Sequence, residues 1–178
     1  LLRYFSDTVG KLTSLNNISR YMKSLGQDIA VKSVSTYLSY FRDAYLLASV
    51  GRYDVHGKRL LESNEKLYFG DVGIRNLIAG GEREGDIEKG LENIVYQQLL
   101  RMGYTVNVGQ LKAGEVDFVC TRTNERVYVQ VAYLVASPQT EEREFGCLEN
   151  INDNYPKYVI SMTPFVKRSD RGGIMHIG

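Results

Sequence analysis

GEVDFVCTRTNERVYVQVAY, residues 114–133, holds two apolar runs separated by the polar stretch RTNE. Each run has the length and β-branched content of a strand, and the four residues between them suit a tight connection. Side chains two apart on a strand share a face. Glu115, Asp117 and Val119 are therefore expected on one face of the first strand, with Val116, Phe118 and Cys120 on the other. On the second strand Tyr128, Gln130 and Ala132 share a face. Pairing as a hairpin brings Asp117 beside Gln130.

The elements around this hairpin extend it into a mixed sheet. IEKGLENIVYQQLLRMGY upstream reads as a helix with Ile87, Leu91, Ile94, Val95 and Leu99 as its buried stripe and Gly103 as its cap. At about 100° per residue, Glu92 falls at the edge of that stripe and can look toward the sheet. TVNVGQL precedes the hairpin as a strand. EEREFGCLENI follows as a helix, its start marked by Pro138 and Thr140, and KYVISM and GGIMHIG are further strands. The order α-β-β-β-α-β-β implies a small mixed sheet with helices packed on it.

The N-terminal part reads differently. LTSLNNISRYMKSLG is a helix over 15–25 stopped by Gly26, and QDIAVKSVSTYLSYFRDAYLL is a second helix with Val34, Leu38, Phe41 and Tyr45 as its apolar stripe. A short turn joins them, as in a helix-turn-helix. LLASVGRYD and EKLYFGD alternate as strands around the polar tip VHGKRLLESN, the hairpin expected of a wing. VGIRNLIAG closes the unit as a short helix. GGEREGD, residues 80–86, has no apolar periodicity and marks a boundary between a 1–80 domain and an 86–178 domain.

The composition is ordinary for a globular chain: 43% hydrophobic and 24% charged over 178 residues, with a net charge of +1. That balance hides an asymmetry. Residues 1–60 hold nine Lys/Arg against four Asp/Glu, which is +5, leaving −4 for the rest. A phosphate-backbone surface is therefore expected in the N-terminal part. No apolar run reaches the roughly 20 residues of a membrane span, and the start LLRYFSDTVG lacks the pattern of a signal peptide. Two cysteines, Cys120 and Cys147, are too few for a disulfide scaffold or a zinc finger, and a cytoplasmic setting is expected. His56 and His176 are far apart in sequence and carry no metal pattern. The lack of an initiator Met suggests a piece of a longer protein.

The segments ENIVYQQLLRMGY, GEVDFV and VYVQVAY, in this order, resemble the PD-(D/E)XK nuclease-like superfamily. With EEREFGCLENINDNYPKYVISM and GGIMHIG added, essentially all 178 residues resemble the C-terminal region of a family of bacterial and archaeal AAA+ ATPases. The resemblance implies an α/β (α+β) chain: an N-terminal winged helix-turn-helix, then a restriction-endonuclease-like mixed sheet flanked by helices. It places an ATPase domain, with its ATP and Mg²⁺, upstream. No G-x-x-x-x-G-K-[ST] loop occurs in this chain, so no such cofactor is expected within it.

An active nuclease of that superfamily holds Mg²⁺ with carboxylates, and the metal activates water and stabilises phosphate charge. Glu92 matches the helix carboxylate and Asp117 the first strand acid. Gln130 stands where the second acid belongs and Ala132 where the lysine belongs. An amide brings no charge and a methyl no cation, while hard divalent ions favour carboxylates. Loss of one such electrostatic group typically costs about 10²–10³ in rate. The expectation is a vestigial site of Glu92, Asp117 and Gln130 holding no metal, Glu92 and Asp117 being the remaining candidates to ligate one. Lys112 and Lys157 are the lysines considered for a relocated ammonium.

On the second helix, Lys32, Ser33, Ser35, Thr36 and Ser39 lie off the apolar stripe, with Arg42 beyond them, and the wing adds Arg52, Lys58 and Arg59. These could meet DNA phosphates and base edges. Tyr37 and Tyr40 suit a protein partner equally, and the modest basic density favours protein contact over DNA. The expected role is a non-catalytic binding or regulatory module of an ATPase. The alternatives are a Mg²⁺-dependent nuclease with a relocated lysine and a winged-helix DNA-binding regulator.

Overall fold

Side-chain caps start three of the six described α-helices. In the computed structural model, which describes residues 1–81, 84–112, 114–164 and 169–178, α1 spans Leu2–Asp7, α2 Leu15–Ser24 and α3 Val31–Asp43. The Ser14 side chain accepts from the Asn17 N–H to start α2. α4 (Val72–Ala79) starts at Asp71, whose carboxylate accepts from the Ile74 N–H, and ends at Gly80 in the left-handed conformation. α5 runs Ile87–Arg101 after a 3-10 turn at Glu84–Asp86. α6 (Pro138–Glu149) starts at Ser137, with Pro138 in its first turn.

The strands are β1 (Leu12–Thr13), β2 (Leu47–Asp54), β3 (Arg59–Phe69), β4 (Thr105–Gln110), β5 (Glu115–Arg122), β6 (Glu125–Ala132), β7 (Lys157–Ser161), β8 (Ser169–Arg171) and β9 (Ile174–Ile177). They form one nine-stranded mixed sheet in the order β1-β3-β2-β4-β5-β6-β7-β9-β8. The β2–β3 hairpin joins the rest through a parallel pairing of β2 with β4, Arg52 opposite Val108. The strands on the two sides of residues 80–86 thus share one sheet. That segment is also bridged by a buried ion pair, Arg75 Nη2 to Asp86 Oδ2 at 2.8 Å. Residues 82 and 83 of the GGEREGD stretch lie outside the described residues.

One apolar core joins Phe5, Ile18, Val34, Leu67, Tyr68, Val95, Phe118 and Val129, and so draws on α1–α3, α5 and the central strands. A second, under α6, contains Val116, Val119, Tyr128, Phe145 and Leu148. The division of β5 between them corrects the alternation expected from the sequence. Val116 and Val119 share the α6 core, while Phe118 and Cys120 share the other. The cause is a bulge. Asn107 pairs with Val119 and Gly109 with Val116, so Val108 alone faces both Asp117 and Phe118. Gly109 is required there, because a Cβ would stand 2.8 Å from Val119 Cγ2.

Other expectations are corrected too. Tyr45 is not in the α3 stripe: it follows the helix with a φ of 56° and is 88% exposed. On α5, Ile87 and Ile94 are exposed, and the buried side chains are Asn93, Val95, Tyr96 and Leu99. β3 begins at Arg59, so the hairpin tip is shorter than VHGKRLLESN. α1, β1 and β8 carry no periodicity long enough to read from sequence. No described helix is long and apolar enough to cross a membrane.

Candidate functional site

β3 ends in four consecutive buried residues, Lys66 to Phe69, and one of them is charged. Lys66 and Tyr68 share a face, and both are buried; Lys66 is only 2% exposed. The two side chains converge on Glu92 of α5. The Tyr68 hydroxyl donates to Glu92 Oε1 at 2.6 Å, and the Lys66 ammonium donates to the same oxygen at 3.3 Å. Lys66 Nζ also lies 2.8 Å from Glu115 Oε1 and 3.6 Å from Asp117 Oδ1, both on β5. One ammonium therefore sits among three carboxylates.

The β5 bulge accounts for how Asp117 reaches it, because the extra residue turns Asp117 onto the α5 side together with Phe118. The bulge lies where β5 and β6 part. Their regular pairing ends at Phe118 opposite Val129. Beyond that point side chains replace the ladder. Asp117 Oδ2 accepts from the Val131 N–H at 2.9 Å, and Gln130 Oε1 accepts from the Asp117 N–H at 3.1 Å. The Gln130 amide donates from its other end to Glu144 Oε2 of α6 at 2.9 Å. Glu144 is also held by Arg143, whose Nε donates to its Oε1 at 2.7 Å. Gln130 is thus a structural bridge, satisfied at both ends.

α5 grips β3 with a polar face. Asn93, fully buried, accepts from the Phe69 N–H and donates to the Phe69 carbonyl, both at 2.8 Å. Gln97 donates to the same carbonyl, and the Tyr96 ring stacks on Tyr68 at 4.6 Å between centroids. From above, Gly10 closes on Glu92. It has a φ of +72°, and a Cβ at that position would stand 2.6 Å from Glu92 Oε2.

Charge is unevenly compensated in this cluster. Burial would lower the Lys66 pKa, but Glu92, Asp117 and Glu115 outweigh it and hold the ammonium above the ordinary lysine value. Burial, and then the Glu92 charge, pushes Asp117 up to about 7 against the pull of Lys66 and the Val131 N–H. Burial likewise raises Glu92 against the pull of Lys66 and Tyr68. These directions agree, since one cation is shared by three carboxylates, of which Asp117 and Glu92 are largely withdrawn from water and Glu115 is partly exposed. The adjoining cleft, about 400 Å³, is lined by Glu88, Glu92, Glu115, Asp117, Gln130 and Arg143, among others. Cys147 also borders it, but burial pushes its thiol up to about 12, so it is a poor nucleophile. Among the described residues, no three or more His, Cys, Asp or Glu side chains are grouped so as to hold a metal.

The structure therefore brings Glu92, Asp117 and Gln130 to one place and adds Glu115, Lys66 and Tyr68. The lysines considered from sequence do not reach it. Lys157 Nζ donates to the Ile151 carbonyl at 2.5 Å, and Lys112 is exposed beyond β4. Ala132 is fully buried where β6 pairs with β7, opposite Ser161. The one signal for Lys66 in the sequence is a charged residue alternating with Tyr68 inside an otherwise apolar strand end. Its partners lie too far along the chain to be read.

The nucleic-acid candidates are more scattered. The Arg52 guanidinium donates to Gln110 of β4, so it is committed within the sheet. Ser35 lines a cleft shared with Arg42, Glu62 and Glu65, so two acids stand against one cation there. The Thr36 hydroxyl donates to the Lys32 carbonyl and that of Ser39 to the Thr36 carbonyl. Lys32, Lys58 and Arg59 are exposed. His176 hydrogen-bonds Ser161 inside the α6 core, and the His56 backbone N–H donates to Asp54.

Residues 1–84 match a family described as a domain of unknown function (DUF8612). The chain is 34% identical over 161 residues to an uncharacterized protein of Haemophilus influenzae, covering 90% of the chain and 39% of that protein. It is 30% identical over 140 residues to an uncharacterized protein of Methanocaldococcus jannaschii, covering 76% of the chain and 30% of that protein. The chain thus spans well under half the length of these relatives. No solved structure matches it significantly.

Proposed function

We propose that this chain is a non-catalytic binding or regulatory module at the C-terminal end of an AAA+ family ATPase. In this reading its first part is a winged helix, and its second part a PD-(D/E)XK nuclease-like fold whose acid site is occupied by a tethered lysine. The observation that carries it is the buried Lys66 ammonium at 2.8–3.6 Å from three carboxylates. A tethered cation occupies the place where metal chemistry would need a divalent one, and the neutral Gln130 amide replaces a charged ligand. The greater length of the relatives leaves room for a further domain. The winged-helix part then serves protein contact more readily than DNA, because Arg52 and Ser35 are turned to internal or acidic neighbours.

A second reading draws on the same lysine. Lys66 puts an ammonium beside the acids from a new backbone position, which is what a Mg²⁺-dependent nuclease with a relocated lysine would need. Incubation of the chain with supercoiled DNA in Mg²⁺ or Mn²⁺, alongside calorimetric metal titration, separates the two. The module reading expects neither cleavage nor metal uptake. Cleavage that disappears in Asp117→Ala overturns it in favour of the nuclease. Salt-dependent duplex binding lost on changing Lys32 or Arg59 would instead support a DNA-binding regulator.

A further inference from the structure

α5 carries apolar side chains on two faces. Val95 and Leu99 point into the core. Ile87, Gly90, Leu91 and Ile94, at the spacing of a single helix face, line a groove flanked by Val72, Arg75 and Asn76 of α4 and by Met162 after β7. The groove measures about 240 Å³. Apolar spacing places Ile87 and Ile94 inside, yet Ile94 is 52% and Met162 55% exposed. Gly90 stands at the middle of the stripe. A Cβ there would meet nothing within 4 Å, so the chain itself has room for alanine, the better helix former. A glycine at such a place suits the close approach of something outside the chain.

We propose that this face of α5 is a self-association surface whose occupant is α5 of a second copy of the chain, packed antiparallel about a two-fold axis. The proposal goes beyond the module reading and does not depend on it. The stripe carries its own complement. Its spacing of three, one and three residues is the same in either direction. Two antiparallel helices set midpoint to midpoint therefore place Ile87 against Ile94 of the second copy, and Leu91 against its Gly90. The leucine enters the notch that the glycine leaves. Charge does not oppose the meeting. Of the described lining residues only Arg75 and Asp86 are charged, and they pair with each other at 2.8 Å. Area sets the strength. Ile87, Ile94 and Met162, with the partly exposed Val72 and Leu91, offer on the order of 300 Å² of apolar surface per copy, and a polar rim in the usual proportion brings the total burial to about 1,000 Å². That is the low end for a specific interface, so the dimer exchanges with monomer rather than being permanent.

Sedimentation velocity on the whole chain, from about 1 μM to 1 mM, reads the assembly. Wild type is expected to pass from monomer to dimer within that range. Gly90→Ala should melt no lower than wild type yet weaken the dimer about tenfold or more. Ile87→Glu and Ile94→Lys each change an exposed position, and each should lose self-association while circular dichroism shows the helices retained. Mixed in equal amounts, these two variants should associate again. In the two-fold register the new carboxylate of one meets the new ammonium of the other, and the opposite end keeps its Ile94–Ile87 contact. Should either variant fail to fold, Gly90→Ala decides. A wild-type chain that stays monomeric at the highest concentration overturns the proposal and leaves the face to another segment of a longer polypeptide. A dimer that Gly90→Ala leaves unchanged, or folded variants that do not recombine, overturns it as well. None of these results bears on DNA cleavage or metal uptake, which test the module reading.

Discussion

Gln130 shows how a single side chain can be bound by structure rather than chemistry. Its amide accepts from the Asp117 N–H and donates to Glu144, so its two ends need opposite polarity. Gln130→Glu would set a carboxylate against Glu144 and add to the charge around Asp117. We expect it to cost about 1–3 kcal/mol at neutral pH and to recover most of that at pH 5, read by urea denaturation at the two pH values. Equal loss at both would show that shape, not charge, decides this position. Gly10 is constrained in the same way from the other side. A side chain there meets both a φ of +72° and the Glu92 carboxylate. Gly10→Ala should lower stability by about 1–3 kcal/mol in thermal melts, and an unchanged melting temperature would mean that Glu92 moves aside freely.

Among the elements, α5 and β3 carry the join. α5 presents Glu92, Asn93, Tyr96 and Gln97 to β3, a polar and aromatic face that apolar periodicity does not detect. Apolar spacing puts Ile87 and Ile94 in its buried stripe, yet both are exposed, because hydrophobic spacing does not register a buried Asn that completes a strand end. Asn93→Leu should leave the Phe69 N–H without its partner and the carbonyl with Gln97 alone, and cost about 1–3 kcal/mol. Hydrogen exchange at the Phe69 amide should accelerate in the variant, and unchanged protection would remove Asn93 from this role. The β5 bulge belongs to the same scale. Alternation placed Asp117 on a face with Val119, and one extra residue opposite Val108 moved it to the other. The glycine at 109 was the visible trace of that bulge, though a lone glycine in a strand does not say which side chain it will redirect.

Across the whole molecule, stability should depend on pH through the shared cluster. Asp117 has a folded pKa of about 7 against an ordinary value near 4, so between these pH values the folded chain binds a proton that the unfolded chain does not. Its contribution to stability is present at low pH and lost as pH rises through 7. The lowered pKa of buried His176 works in the opposite direction only below about 6.5, and that of Asp86 only below about 4. From pH 8 to 6.5 the chain should therefore gain on the order of 1 kcal/mol, seen as a rising urea midpoint. Asp117→Asn should flatten that slope, and a slope that survives the substitution would assign it elsewhere. By itself the sequence determined the strands around 115–132, the helices with clear caps and the mixed α/β character, because caps, turns and alternation are local. Only the tertiary structure decided that one sheet spans the chain, that Asp117 turns toward α5, and that the Lys66 ammonium sits among Glu92, Glu115 and Asp117. The first and last depend on pairing between residues far apart in sequence, and the second on a bulge within the β4–β5 hairpin whose effect on side-chain direction no spacing rule gives.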